Sequence, residues 1–161
     1  DVDCFPKIKF ADKLTQLSFI GTPNAYRKSF FDDTDVNVEY LFGLSQEELF
    51  KAFSNSKMSI NLSVNHNDPK QKTQMKQRIF EVPAGAGLLI TQNHSGIEQY
   101  FNINKEIFTF DSPEEFSEKT NFLLKHPKIV EKVAMAGHNR FTKEHDSKIR
   151  LSNVLERVMK L

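Results

Sequence analysis

Arg78 and Glu81 stand three residues apart and carry opposite charges. On a helix, positions i and i+3 share a face, so their side chains are predicted to project the same way. Such a pair is either an exposed ion pair, worth about 0.2–0.5 kcal/mol, or a pair of charges that serves a ligand. The stretch around it, RIFEVPAGAGLLIT from Arg78 to Thr91, favours the ligand. Pro83 lacks a backbone donor and is expected to end or kink the helix. Ala84, Gly85, Ala86 and Gly87 make a turn almost without side chains, and Leu88-Leu89-Ile90 is an apolar run suited to a strand covered on both faces. A charged pair before a helix-to-strand turn, followed by a buried strand, is the pattern of an α/β ligand site.

The elements that must position this pair follow from periodicity and turn residues. Strands are predicted over residues 16–20, 36–41, 58–64, 88–90 and 107–110. Helices are predicted from Arg27, from a capping box at Ser45 with Glu48, and across Arg78 and Glu81. A short helix is expected near Tyr100 and Phe101, and a second capping box is expected at Ser112 with Glu115, with Pro113 at its first position. That helix is predicted to end near His126-Pro127, before long helices over 128–145 and 146–161. In the last, Ile149, Leu151, Val154, Leu155 and Val158 fall at helical spacing. Residues 1–15 read as a linker or an edge strand. Alternating strands and helices predict an α/β, Rossmann-like doubly wound parallel sheet with helices on both faces and extra C-terminal helices. Ligands in such sheets bind outside the carboxyl ends of the strands.

Composition narrows the classes. The chain has 161 residues, enough for one domain, with 39% hydrophobic and 27% charged residues. A net charge of +1 makes no case for nucleic-acid binding. Cys4 is the one cysteine, which excludes an intrachain disulfide and makes a reducing, cytoplasmic compartment the simpler reading. No apolar run approaches the roughly 18–20 residues that span a bilayer. None of the five histidines shows metal-ligand spacing with a third ligand, and Asp68 is a lone carboxylate, so no metal is expected. Fifteen phenylalanines with no tryptophan read as core composition.

The segment from Gln77 to Thr91 resembles the "R-x-F-E-…-G-x-x-L-L-T" stretch of nucleotide-sugar glycosyltransferases of the GT-B fold. The likeness is greatest to the group-1-like subset with spore-coat, capsule and O-antigen transferases. Leu17 to Gly21 is similar to the first strand of that family's C-terminal domain, and Tyr40 to Glu48 to its "G-x-x-x-x-E-E-L" helix start. Ser54 to Leu62, Phe108 to Leu124 and His126 to Arg140 are similar to its next strand and closing helices, so the resemblance covers about residues 16–155. It implies a domain over residues 16–161 that grips a nucleotide-sugar donor, with an acceptor-binding N-terminal domain carried elsewhere.

Residue by residue, the resemblance implies that Glu81 holds the ribose hydroxyls. Carboxylate oxygens are spaced for a vicinal diol, and charge-assisted bonds contribute roughly 1.5–3 kcal/mol. Thr73 stands where the wider superfamily has a second glutamate linked to the donor sugar, a departure that leaves retaining and inverting outcomes both open. Arg78 is implied to reach the diphosphate or to orient Glu81; its planar fork suits phosphate. Lys72 and Lys76 lie near the start of this helix, where amides of Thr73, Gln74 and Met75 would face an anion. The Gly21-Thr22-Pro23 turn is implied to meet the phosphates or the acceptor side, with Arg27 adding a cation, and Gly21 permits close backbone approach. Backbone groups of Gly43 and Leu44 are implied to hold the base. Asn61, Ser63 and Asn65 are candidates to meet the sugar, and His94 alone among the histidines is placed near the ligand, though an ordinary loop histidine is the simpler reading. No catalytic residue is assigned, since the base of such enzymes usually belongs to the other domain. The alternative is a non-catalytic assembly module that keeps the fold. Other doubly wound nucleotide folds are disfavoured because GTPNAYR is neither G-x-G-x-x-G nor a Walker pattern.

Overall fold

A computed structural model describes residues 1–64 and 74–160. Its centre is an all-parallel sheet of β1 (Thr15–Ile20), β2 (Glu39–Leu41), β3 (Ser56–Asn61), β4 (Leu88–Gln92) and β5 (Phe108–Phe110). The strand order is β2-β1-β3-β4-β5. The helices are α1 (Ala25–Asp32), α2 (Gln46–Asn55), α3 (Arg78–Ala84), α4 (Pro113–Lys125), α5 (Pro127–Arg140) and α6 (Ser147–Val158).

The period-2 alternation of strand side chains sends them to two cores. On one face, Leu17, Phe19, Met58, Ile60, Leu88 and Ile90 pack with Phe30 of α1, Phe116 of α4 and Val133 of α5. On the other, Ile20 and Leu89 pack with Phe53 of α2 and with Ile79 and Val82 of α3. The phenylalanines fill the first core as an aromatic cluster: the Phe30, Phe110 and Phe116 ring centroids lie 5.1–5.5 Å apart. The doubly wound prediction therefore holds, with helices on both faces.

Several boundaries differ from expectation. β2 spans only Glu39–Leu41, because as an edge strand it pairs with β1 alone, from Ser18 to Ile20. β3 starts at Ser56, directly after α2, and ends at Asn61. Residues 1–14 form 3-10 turns at Val2–Cys4 and Phe10–Asp12 and no edge strand. The segment near Tyr100 is a 3-10 turn, Ile97–Gln99. The Ser45 box forms as predicted, with Glu48 accepting from the Ser45 N–H at 2.8 Å. At α4, Ser112 accepts from the Glu115 N–H, but Glu115 reaches one residue further, to the Asp111 N–H at 2.7 Å.

The predicted long helix over 128–145 is α5 followed by a π-helical turn, Phe141–His145. Asp146 then leaves helical geometry and caps α6, accepting from the Lys148 N–H at 2.9 Å. The apolar face of α6 does not enter either core: Leu151 and Val158 are each 60% exposed, and α6 buries no residue.

Candidate functional site

The chain runs outward from β1 to β2, then returns across β1 to β3. This reversal makes a switch point, with a crevice at the carboxyl ends of β1 and β3. Gly21 follows β1 there, its N–H donating to the Leu41 carbonyl at 2.9 Å. A Cβ added to Gly21 would lie 3.1 Å from Arg78 Nη2 and 3.2 Å from Arg27 Nη1. Two guanidinium groups thus converge over one glycine.

Each arginine is anchored on the main chain. Arg27 sits in the first turn of α1, where Asn24 caps the helix by accepting from the Arg27 N–H at 2.9 Å. Its side chain donates to the Thr22 carbonyl, and its guanidinium lies 5.3 Å from the Phe19 ring centroid. Arg78 Nε donates to the Ile20 carbonyl, the last of β1. Arg78 is thus oriented by the end of β1, with its Nη2 directed over Gly21.

Lys76 completes the group. Burial, then the charges of Arg27 and Arg78, lower its pKa, so the three cations share one electrostatic neighbourhood. Arg78 itself is made less basic by burial and by Arg27, with Glu81 and Tyr40 acting the other way. It stays a cation at physiological pH. The Tyr40 phenol lies beside the pair, raised by burial against the opposing pull of Arg27 and Arg78. Two converging guanidinium groups, with Lys76 within their electrostatic reach, are chemically suited to a multivalent anion.

Glu81 is half-buried, and its pKa is raised by burial while Arg78 opposes the shift. It lines a cleft of about 840 Å³ together with Lys76 and Gln77 before α3, Gln46 and Leu49 of α2, and Phe80. Gly43 lies before α2 with φ +70° and open space around it, and Leu44 packs on the second core. Arg27 and Arg78 therefore gather over the end of β1, while Lys76 and Glu81 open on a cleft that α2, α3 and α6 share.

Other expectations shift. α3 begins at Arg78, so Arg78 and Glu81 occupy its first turn, and it ends one residue after Pro83. Gln74 and Met75 precede α3, and the Gln74 N–H donates to the Ser63 carbonyl at 2.8 Å, so that amide is already satisfied. Asn61 and Ser63 do not present to a ligand: Asn61 Nδ2 donates to Thr91 Oγ1 at 2.9 Å and Ser63 Oγ to the Gln92 carbonyl at 2.8 Å, tying β3 to β4. His94 is buried, its Nδ1 3.2 Å from the Ser95 carbonyl. Asn65, His66, Asp68, Lys72 and Thr73 lie outside the described residues.

Sequence reasoning did not single out Tyr40, Phe19 or Lys13. A strand tyrosine beside arginines distant in sequence has no local signature. The signal available for Phe19 was its place two residues before the Gly21 turn.

Residues 7–156 match a family model described as glycosyl transferase-like. No curated protein sequence matches the chain. Among solved structures, the chain is similar to the C-terminal domain of a glycosyl transferase group 1 family protein, LpcC, from Francisella tularensis. The TM-score is 0.68 at 11% identity, over 91% of this chain and 98% of that one. It is also similar to Anabaena Alr3699/HepE, solved in complex with UDP and glucose, with a TM-score of 0.75 at 8% identity over 100% of this chain and 55% of that one. A glycosyltransferase from Rickettsia africae gives a TM-score of 0.64 at 12% identity, over 88% of this chain and 46% of that one. At these identities the likeness shows the fold, and the chain spans about half the length of the latter two.

Proposed function

The chain belongs to the glycosyl transferase-like family, and from that premise we propose that it binds a nucleotide-diphospho-sugar donor. It does so as the donor half of a glycosyltransferase that acts on a glycan, lipid or protein acceptor. The observation that carries this reading is the convergence of Arg27 and Arg78 over Gly21, with Lys76 within reach of their charge. A diphosphate is the anion of matching charge and size. In this reading Arg27 and Arg78 hold the phosphates and stabilise the leaving diphosphate as the sugar departs, the electrostatic contribution a donor domain can make. Three side-chain cations supply the charge neutralisation, so the site needs no metal.

Glu81 accepts both ribose hydroxyls at the mouth of the cleft, and the main chain at Gly43 and Leu44 meets the base. The Gly21-Thr22 turn meets the phosphates or the acceptor side, and Gln74 borders the phosphate end. An acceptor-binding domain in the full-length protein supplies the catalytic base. The partial coverage of the HepE and Rickettsia chains supports this division. A cytoplasmic location belongs to the same proposal; among the described residues no helix is long and apolar enough to cross a membrane.

A thermal-shift panel of UDP, GDP, ADP, CDP and dTDP tests the reading. At least one should raise Tm, and Glu81→Ala should abolish the shift while leaving the unliganded protein folded. A folded chain that none of them stabilises would sink the donor reading.

A further inference from the structure

Lys13 is 3% exposed, the most enclosed lysine of the described residues, and it stands outside every element. Its Nζ donates to two carbonyls, Ser54 in the last turn of α2 and Gly85 at the C-cap of α3, the second at 2.8 Å. Both are helix C-termini, where unpaired carbonyls and the helix dipole favour a cation. The two helices meet closely at this point: a Cβ on Gly85 would lie 2.9 Å from the Phe53 carbonyl carbon and 3.0 Å from the Ser54 nitrogen. No carboxylate among the described residues offsets the charge of Lys13, whose pKa burial alone brings down to about 8. A buried cation held only by two carbonyls is costly to keep unless the junction depends on it.

α2 and α3 run in the same sense, from the carboxyl end of the sheet to this junction. At the far end, α2 starts beside Gly43 and Leu44, and α3 starts with Arg78 and Glu81. We propose that Lys13 is a positioning residue for the nucleoside end of the donor site, pinning α2 to α3 so that Glu81 and the Gly43-Leu44 main chain keep their spacing across the cleft. The inference rests on the donor reading above. Glu81 stands four residues, about 6 Å, before the pinned Gly85, so a tilt of roughly 10° about that end moves it by about 1 Å. A binding constellation tolerates only about 0.5 Å. Arg27 and Arg78 are held separately by Thr22 and Ile20, at the end of β1. The pin therefore governs chiefly ribose and base: Arg27 stands outside both helices, and Arg78, though it rides on α3, keeps its guanidinium on the Ile20 carbonyl.

The test is calorimetric titration of the wild-type chain, Lys13→Met and Lys13→Gln with UDP, GDP, ADP and pyrophosphate. Phe116→Leu, in the opposite core, serves as the control for lost stability. Lys13→Gln keeps an uncharged N–H donor group and guards against a Lys13→Met chain that does not fold. The expected result is a loss of tenfold or more in nucleotide affinity for the Lys13 variants, with a clearly smaller loss, no more than about threefold, for pyrophosphate. Phe116→Leu should lower Tm and leave both affinities alone. Unchanged nucleotide affinity in the Lys13 variants, or parallel loss of nucleotide and pyrophosphate, would overturn the positioning role alone. Failure of the wild type to bind any probe would instead remove the donor reading, and this one with it.

Discussion

Arg27 and Arg78, 51 positions apart in the chain, bring Nη1 and Nη2 to within 3.2 and 3.1 Å of the point where a Gly21 Cβ would stand. Gly21 is what allows them to meet. Gly21→Ala should leave the fold intact, because the atoms it would press are the flexible ends of two arginines and the edge of Phe19. It should weaken nucleoside diphosphate binding several-fold by spreading the guanidiniums, measurable by calorimetry. Gly85→Ala is the opposite case. There the new methyl meets the backbone of Phe53 and Ser54, which cannot yield, and the expected cost is about 1–3 kcal/mol in denaturant unfolding.

Removing either cation should be felt by the anion. Arg78→Met or Arg27→Met should each cost about 1.5–3 kcal/mol of diphosphate affinity, roughly tenfold to hundredfold. Each should also raise the pKa of Lys76, which both arginines now depress. Equal affinity of the variants for pyrophosphate, in titrations at fixed ionic strength, would contradict a role in holding phosphate.

Glu81 links stability and binding with opposite signs. Burial raises its pKa, so the ionised form is less welcome in the folded chain than in the unfolded one. Its contribution to stability is then greatest at acid pH and is lost as pH rises through the folded pKa. Glu81→Gln should raise Tm at pH 7.5 and not at pH 4, while nucleotide affinity falls about tenfold or more. A neutral amide that both destabilises the chain and binds nucleotide normally would refute both assignments.

Lys13 gives a second pH signature. Its folded pKa, about 8, is below the ordinary 10.5, so between these values the unfolded chain binds more protons and stability rises with pH. The gap is worth up to about 3 kcal/mol. It should appear as the difference between wild-type and Lys13→Met unfolding curves collected from pH 7 to pH 10.5. A flat difference would show that Lys13 is as basic as a surface lysine.

The exposed face of α6 predicts a contrast. Leu155→Ser and Val158→Ser should change unfolding free energy by no more than about 0.5 kcal/mol, as surface substitutions do. Phe116→Ala, from the aromatic core, should cost about 3–5 kcal/mol.

Local chemistry made much of this protein legible from the sequence alone. Strand alternation, the Ser45–Glu48 box, Pro113 at a helix start and the small-residue turn before Leu88 each act within a few residues, so they specified a doubly wound sheet. The Arg78–Glu81 spacing likewise placed both side chains on one helix turn. Tertiary structure decided what those side chains meet. The Ile20 carbonyl holds Arg78, and β4 takes up Asn61 and Ser63, because parallel strands bring distant residues side by side. Lys13 found its partners where two helices end together, which no spacing encodes. The period of α6 specified an apolar face, but a pattern of side chains does not say whether anything packs against it. Periodicity is a property of one segment, whereas burial and hydrogen-bond partnership belong to pairs of segments.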